Sequence, residues 1–338
     1  MNFKNLDSLF KIDEYEWVLG NIYLFKFFLF ILFKSLPPSI RGKVWKLAIG
    51  NELNLNKESY RFYEKKAQQK LETLSRKEEN ETTNEIFNES SSSVELIKLD
   101  VSRTFPQLCF FQRDGPYHEA LHSVLGAYAC FNPQMGYVQG MSFLTAIFLL
   151  NMEAPDAFIC LSNLLNTKYL LACFCMDQAK MNRYFRVHQI LLEHNLPKLY
   201  RHFETQKVKP DLYLIEWIFT LFSKSLPLDV MSRVWDVFFR DKEEFLFRTA
   251  LGILNMYKDT LLQMDFIHIV QFLTKLPENI NSTLLFKSIE QIETSIDDLY
   301  FTFEHLIADT PTTPSTYHST STSKASPANG SHSTASPS

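Results

Sequence analysis

The chain has 338 residues, of which 46% are hydrophobic, enough to bury one large core or two modest ones. Its formal net charge is −4, so it lacks the strongly basic balance of nucleic-acid-binding proteins, and no nucleic-acid partner is expected. The five cysteines form no CxxC pair and lie among apolar or aromatic neighbours, which predicts reduced core thiols of a cytosolic protein; they are Cys109, Cys130, Cys160, Cys173 and Cys175.

Residues 1–35 form an N-terminal extension that contains an apolar run, Ile22–Phe33, interrupted only by Lys26. A membrane-spanning helix needs about 20 apolar residues, and this run is shorter. The residues before it are acidic, whereas a secretory signal begins with basic residues. An interfacial anchor for peripheral membrane association remains open, and so does an alternative exon or a mistaken gene model.

The folded domain is expected over residues 36–307. It begins near Pro37 and Pro38, which suit a helix start, and continues into a charged run at helical spacing over residues 58–75. Residues 75–93 are polar and acidic, with too few apolar side chains to fold, and they predict a flexible insertion loop. Residues 308–338 are rich in Ser, Thr and Pro and predict a disordered tail.

Apolar residues recur at helical spacing through the middle of the chain. After Pro116 they stand at i, i+3, i+4 and i+7, namely Leu121, Val124, Leu125 and Tyr128. Residues 215–222, 234–238 and 247–254 repeat this pattern, and the sequence has no run of alternating β-branched residues. These features predict an all-α fold of antiparallel helices joined by short loops.

The first candidate site motif is Ile97-x-x-Asp100-x-x-Arg103, whose three named residues share one side of a helix. Asp100 is expected to hold the guanidinium of Arg103 by a charge-assisted hydrogen bond. Pro106 should stop the helix, so Arg103 should project near the helix end. Taken alone, such a string usually marks a surface ion pair.

A second motif is Tyr137-Val138-Gln139-Gly140. Gln139 stands between Gly136 and Gly140, small residues that let a partner backbone approach closely. Tyr137 is a rigid aromatic residue suited to contact a partner loop. Alone the string is usually a loop, but a third string, Arg41-Gly42-x-x-Trp45, precedes both motifs and makes the combination far more specific.

In this order the three strings resemble the signature motifs of the TBC domain, the catalytic module of Rab GTPase-activating proteins. Residues 210–222, 233–236 and 245–251 resemble the domain's C-terminal half, so the resemblance covers about residues 36–290. It implies a multi-helix domain with two helical lobes. The amino-acid sequence is most similar to the family branch numbered members twelve and fourteen. That similarity implies a cytoplasmic protein recruited to endosomal or autophagosomal membranes in vesicle trafficking.

The resemblance also implies a division of roles. Arg103 and Gln139 would be the catalytic arginine and glutamine fingers, inserted in trans beside GTP bound to a Rab-family GTPase. Five residues would support the site or contact the Rab: Asp100, Tyr137, Gly140, Arg41 and Trp45. GTP and Mg²⁺ would be carried by the partner, so no cofactor of the chain's own is expected. The alternative is a non-catalytic Rab effector or trafficking scaffold with the same fold.

His118-Glu119-Ala120-Leu121-His122 matches HExxH, the helical motif of zinc proteases. The extended motif needs Gly and His further along the helix, where this chain has Leu125 and Tyr128. Without a third protein ligand a catalytic zinc site is not expected, and the two histidines are interpreted as surface or capping residues.

Overall fold

The computed structural model describes residues 36–78 and 89–294, and every regular element in these ranges is a helix. The all-α prediction is therefore confirmed. The run Ile22–Phe33, the centre of the predicted insertion at residues 79–88 and the tail at residues 308–338 lie outside the described residues. Within the described ranges no single helix has the length and hydropathy to cross a membrane, although one bent pair, Ala154–Leu165 with Lys168–Phe174, passes that test together.

The first seven helices are α1 Pro38–Ile49, α2 Lys57–Glu78, α3 Glu89–Arg103, α4 His118–Phe131, α5 Met141–Leu149, α6 Ala154–Leu165 and α7 Lys168–Phe174. Eight more follow: α8 Gln178–Asn195, α9 Pro197–Gln206, α10 Leu214–Phe219, α11 Leu228–Asp241, α12 Glu243–Met256, α13 Lys258–Leu261, α14 Phe266–Thr274 and α15 Ser282–Glu290. Short 3₁₀ helices lie at Pro106–Leu108 and Pro210–Leu212.

Several helix starts are explained by local chemistry. Proline occupies the first turn of α1, α6 and α9. Backbone N–H groups in the first turn have no acceptor within the helix, so the lack of an N–H in proline breaks no hydrogen bond there. Three other helices start with a side-chain cap. Asp177, Asp265 and Asn281 each accept a hydrogen bond from the backbone N–H three residues later, at the starts of α8, α14 and α15.

Contacts between the helices form two sets, which correspond to the two predicted lobes. In the first, α4 packs against α2, α3, α5 and α6; in the second, α12 packs against α8, α10, α11 and α15. Helix α1 joins the sets because it contacts both α6 and α11. Trp45 of α1 and Trp235 of α11 are fully buried with ring centroids 5.3 Å apart, and Trp217 is also fully buried, so all three tryptophans belong to the core.

The helix predicted by the pattern at residues 215–222 ends earlier than expected. Helix α10 stops at Phe219, and Leu221 and Phe222 have left-handed backbones, with φ of 45° and 62°. The N–H of Phe222 donates to the carbonyl of Trp217, a bond from five residues back that closes a helix C-terminus. Phe222 remains fully buried, so the apolar pattern identified a core residue but not its backbone conformation.

The predicted insertion loop is shorter at both ends than expected. Helix α2 continues to Glu78 and α3 begins at Glu89, so residues 75–78 and 89–93 are helical. Arg76, Lys77 and Glu78 are good helix formers, which allows α2 to continue where the apolar pattern has already ended.

The prediction of five core thiols is wrong for two of them. Cys130, Cys160 and Cys173 are buried free thiols, and burial raises the pKa of each. Cys109 and Cys175 are exposed. Each lies one residue beyond a helix, Pro106–Leu108 and α7 respectively, where the chain turns outward despite its apolar neighbours.

Candidate functional site

Asp100 connects the two central motifs through the two oxygens of one carboxylate. The residue lies on α3 and is only 1% exposed. Its Oδ1 accepts hydrogen bonds from the guanidinium of Arg103, as the spacing predicts. Its Oδ2 accepts from the hydroxyl of Tyr137 and, at 3.1 Å, from the backbone N–H of Gly140. The arginine motif and the glutamine motif therefore share one buried anchor.

Arg103 is the last residue of α3, and its side chain is 53% exposed while that of Asp100 is 2% exposed. The next residues fix the helix end. The Thr104 hydroxyl donates to the Asp100 carbonyl oxygen at 2.6 Å and lies 2.8 Å from the Ser142 hydroxyl on α5. Phe105 then turns the chain with φ of 44°. Asp100 therefore holds the guanidinium through Nε and one terminal nitrogen, while about half of the Arg103 side chain stays open to solvent.

Gln139 lies in the short loop before α5, between two glycines with left-handed backbones. Gly136 has φ of 62° and Gly140 has φ of 102°, values that side chains disfavour. A Cβ at Gly136 would also lie 3.0 Å from the Ser93 hydroxyl oxygen. Gln139 is exposed, and its side chain has no hydrogen-bond partner among the described residues. Its amide is therefore free to reach an incoming molecule.

Tyr137 does not have the role that its aromatic character suggested. It is 4% exposed, so the expected contact with a partner loop is wrong. Burial raises the pKa of the Tyr137 hydroxyl, and the hydrogen bond to Asp100 raises it further. The hydroxyl thus stays protonated near neutral pH and donates to the carboxylate. Tyr137 positions the site from inside.

Arg41 and Trp45 belong to a second cluster, built around Asp236 of α11. The Nε of Arg41 lies 3.2 Å from Oδ1 of Asp236, and the indole N–H of Trp45 donates to the same oxygen at 3.0 Å. The backbone N–H of Leu36 donates to Oδ2 at 3.0 Å. Burial raises the pKa of Asp236, while the charge of Arg41 opposes that shift.

This cluster corrects one part of the predicted site. Trp45 is fully buried, so it cannot contact a partner, and its role is to hold α1 against α11. Asp236 was not among the predicted site residues. The signal that could have found it is its place in the string Arg233-Val234-Trp235-Asp236, where a carboxylate follows a core tryptophan.

The HExxH histidines lie next to each other at the start of α4, with ring centroids 4.8 Å apart. Nδ1 of His118 is 2.9 Å from the carbonyl oxygen of Phe111. Burial lowers the pKa of His122, and the neighbouring His118 lowers it further. In the part of the chain that the structure describes, no group of three or more His, Cys, Asp or Glu residues could hold a metal ion.

Comparison with known proteins decides the family. The profile of the Rab-GTPase-TBC domain matches residues 38–262, two thirds of the chain and all of both site motifs. The chain belongs to the Rab-GTPase-TBC domain family. The sequence resemblance is thereby confirmed, and the site residues fall inside the matched region.

Relatives and solved structures agree with this assignment. The chain is 57% identical over 263 residues to TBC1 domain family member 12 of Xenopus tropicalis and 54% identical over 263 residues to member 14 of Homo sapiens. Both alignments cover 77% of this chain but 38% of the relative, so the chain spans well under half of their length. The crystal structure of the Chlamydomonas flagellar RabGAP TBC domain matches with a TM-score of 0.62 and 23% identity, covering 77% of this chain and 83% of that one, which shows the shared fold.

The TBC domain should lose stability when the shared carboxylate is replaced. In Asp100→Asn the amide nitrogen cannot accept a hydrogen bond, so either Arg103 or the pair of Tyr137 and Gly140 loses its acceptor inside the fold. We expect a loss of about 2–4 kcal/mol in the free energy of unfolding, measured by urea denaturation. Glu95→Gln removes the same charge from an exposed position of α3 and should change stability little. Equal unfolding midpoints for the two variants would contradict the anchoring role.

Proposed function

We propose that this TBC domain accelerates GTP hydrolysis by a Rab-family GTPase, to which it supplies Arg103 and Gln139 in trans. The observation that carries the proposal is the double use of the Asp100 carboxylate. It holds the guanidinium of the arginine and the backbone beside the glutamine, and both residues remain exposed. The buried carboxylate of Asp236 also holds an arginine, but Arg41 is itself buried, whereas the side chain of Arg103 is 53% exposed.

The arginine supplies positive charge where the reaction develops negative charge. During hydrolysis, charge accumulates on the γ-phosphoryl oxygens and on the leaving oxygen, and a small GTPase alone neutralises it poorly. An arginine inserted in trans accelerates the reaction by about 10³–10⁵-fold. Arg103 has the planar, permanently charged group that can meet two oxygens at once. GTP and Mg²⁺ belong to the partner in this scheme, and the chain brings no cofactor of its own.

Gln139 would orient the attacking water. A glutamine side chain has a carbonyl that can accept a hydrogen bond from water and an amide that can donate to a phosphoryl oxygen or a partner backbone. Its exposed position between two glycines supports a close approach to the GTPase. Removing conformational freedom from the water lowers the barrier without a covalent step.

The second candidate function is a non-catalytic Rab effector or trafficking scaffold. The same exposed groups could recognise a GTP-bound partner without accelerating hydrolysis.

For either function we place the protein in the cytoplasm, with peripheral association at recycling-endosome or autophagosomal membranes and no nucleic-acid partner. This setting is the one that the resemblance to the family branch with members twelve and fourteen implies. Imaging of the tagged full chain with compartment markers tests it.

The activity is tested by measuring GTP hydrolysis by a panel of purified Rab GTPases with catalytic amounts of the full chain. Stimulation of at least one member, with many turnovers per molecule of activator, is expected. Binding to one member in the GTP form, with no stimulation of any, would favour the effector.

The proposed role of Gln139 can be tested with the same panel of Rab GTPases. If it takes over the water-orienting task, a Rab whose own switch glutamine is changed to leucine should keep part of its stimulation, because the activator still supplies the missing amide. The Gln139→Ala variant should lower stimulation of the wild-type Rab by about 10²-fold or more. It should abolish stimulation of the Rab with the glutamine-to-leucine change, called here the leucine Rab. Single-turnover hydrolysis measures both. Full loss on the leucine Rab, with no effect of Gln139→Ala on the wild-type Rab, would leave Arg103 as the sole finger.

A further inference from the structure

The solvent-facing side of α3 carries an apolar stripe that leads to Arg103. Leu96 is 37% exposed and Leu99 is 62% exposed. They stand three residues apart, and Arg103 follows four residues after Leu99, so the three side chains line one face of the helix. The opposite face of the helix packs into the core, where Ile97 and Val101 are buried.

Single exposed leucines are common on protein surfaces, but this pair shares its face with a finger residue. The exposed neighbours Glu95, Lys98 and Ser102 are polar and border the stripe. An apolar centre bordered by polar residues is the usual anatomy of a protein–protein contact. The stripe is defined here as Leu96 and Leu99, and is called the leucine stripe.

We propose that the leucine stripe is the apolar docking surface for the GTPase beside Arg103, an inference that rests on the proposed function. The argument is geometric. Side chains four residues apart on a helix have Cβ atoms roughly 5–6 Å apart. If the Arg103 guanidinium enters the nucleotide site of a partner, the partner surface around that site must cover Leu99. Covering Leu99 contributes to binding only when apolar side chains lie opposite it, so we expect the GTPase surface at this place to be apolar.

The position of the stripe predicts which kinetic constant it affects. The leucines touch neither nucleotide nor attacking water, so they should act on association of the two proteins. Loss of the stripe should then raise KM for the GTPase while kcat changes little.

The test is a comparison of Leu99→Gln with Leu284→Gln in the full chain. Leu284 lies on α15 and is 55% exposed, so it matches Leu99 in residue type, helix setting and exposure. Glutamine is neutral and forms helices well. We expect Leu99→Gln to raise KM for the Rab by roughly tenfold, with kcat within twofold of the wild type, because burial of one leucine side chain is lost. Adding Leu96→Gln should raise KM further, and Leu284→Gln should change neither constant.

Equal KM values for the Leu99 and Leu284 variants, with a wild type that stimulates hydrolysis and an inactive Arg103→Ala, would overturn the inference and leave the proposed function intact. A fall in melting temperature confined to the Leu99 variant would also overturn it, since the stripe would then be covered by the chain's own residues, such as the run at 22–33. If the wild type stimulates no Rab, affinity for the GTP-analogue form decides. Weaker binding by Leu99→Gln alone supports the docking surface without the enzyme, and no binding by the wild type overturns both.

Discussion

Replacing Arg103 with alanine should lower the stimulated rate of GTP hydrolysis by about 10³-fold or more and leave the fold unchanged. The loss is large because Arg103 is the only cation among the three residues whose side chain or backbone N–H donates to the Asp100 carboxylate. The fold should persist because the Arg103 side chain is half exposed and Asp100 keeps its hydrogen bonds from Tyr137 and Gly140, although loss of the cation beside the buried carboxylate should lower the melting temperature. Single-turnover hydrolysis with saturating activator measures the rate, and circular dichroism and thermal melting monitor the fold.

Two further variants make this result specific. Arg103→Lys keeps the charge but loses the planar fork, so it should recover little of the activity. Arg61→Ala removes an exposed arginine from α2 and should leave hydrolysis unchanged. Wild-type rates in both Arg103 variants would end the catalytic assignment. An equal loss in Arg61→Ala would show that overall charge, rather than a finger, drives the stimulation.

Much of the fold could be predicted because apolar periodicity reports directly on burial. The pattern after Pro116 identified α4, and all four of its marked residues are buried at the centre of the first set of helices. The pattern fails where the chain leaves a helix while its side chains stay in the core. Phe222 is such a case, since its left-handed backbone leaves no trace in the spacing of apolar residues.

Part of the site follows from the spacing of residues within one helix, and the rest depends on contacts between distant parts of the chain. The bond from Asp100 to Arg103 joins residues three apart in one helix, so their spacing predicts it. The bond from the N–H of Gly140 to Asp100 joins residues 40 apart, and it depends on how the loop before α5 packs against α3. Sequence therefore identified both motifs but not their shared carboxylate.

Arg41 illustrates the limit of reading motifs as sites. Its string identifies the family, yet the side chain pairs with Asp236, 195 residues further along the chain, and helps to join the two sets of helices. A signature motif can mark a structural requirement as readily as a contact with a partner. The residue that pairs with the motif side chain distinguishes a structural role from a contact site, and that residue can be identified only in the folded chain.

The choice between enzyme and effector rests on which nucleotide state of the GTPase this domain binds most tightly. A GTPase-activating protein must bind the transition state more tightly than ground-state GTP, since only that difference lowers the barrier. An effector has no such requirement and needs only to tell GTP from GDP. GDP with aluminium fluoride imitates the phosphoryl group in transfer, and a non-hydrolysable GTP analogue imitates the ground state.

The catalytic function therefore predicts that this domain binds the aluminium fluoride form of its Rab at least about 10²-fold more tightly than the GTP-analogue form. The gain should disappear in Arg103→Ala, because the guanidinium is the group that meets the added charge, and Arg61→Ala should keep it. Titration calorimetry with each nucleotide form measures the two affinities. An effector would instead bind the GTP-analogue form firmly, gain nothing from fluoride and tolerate loss of Arg103. Equal affinity for both forms in every Rab that binds would remove the enzyme assignment, while the fold and the shared anchor at Asp100 would stand.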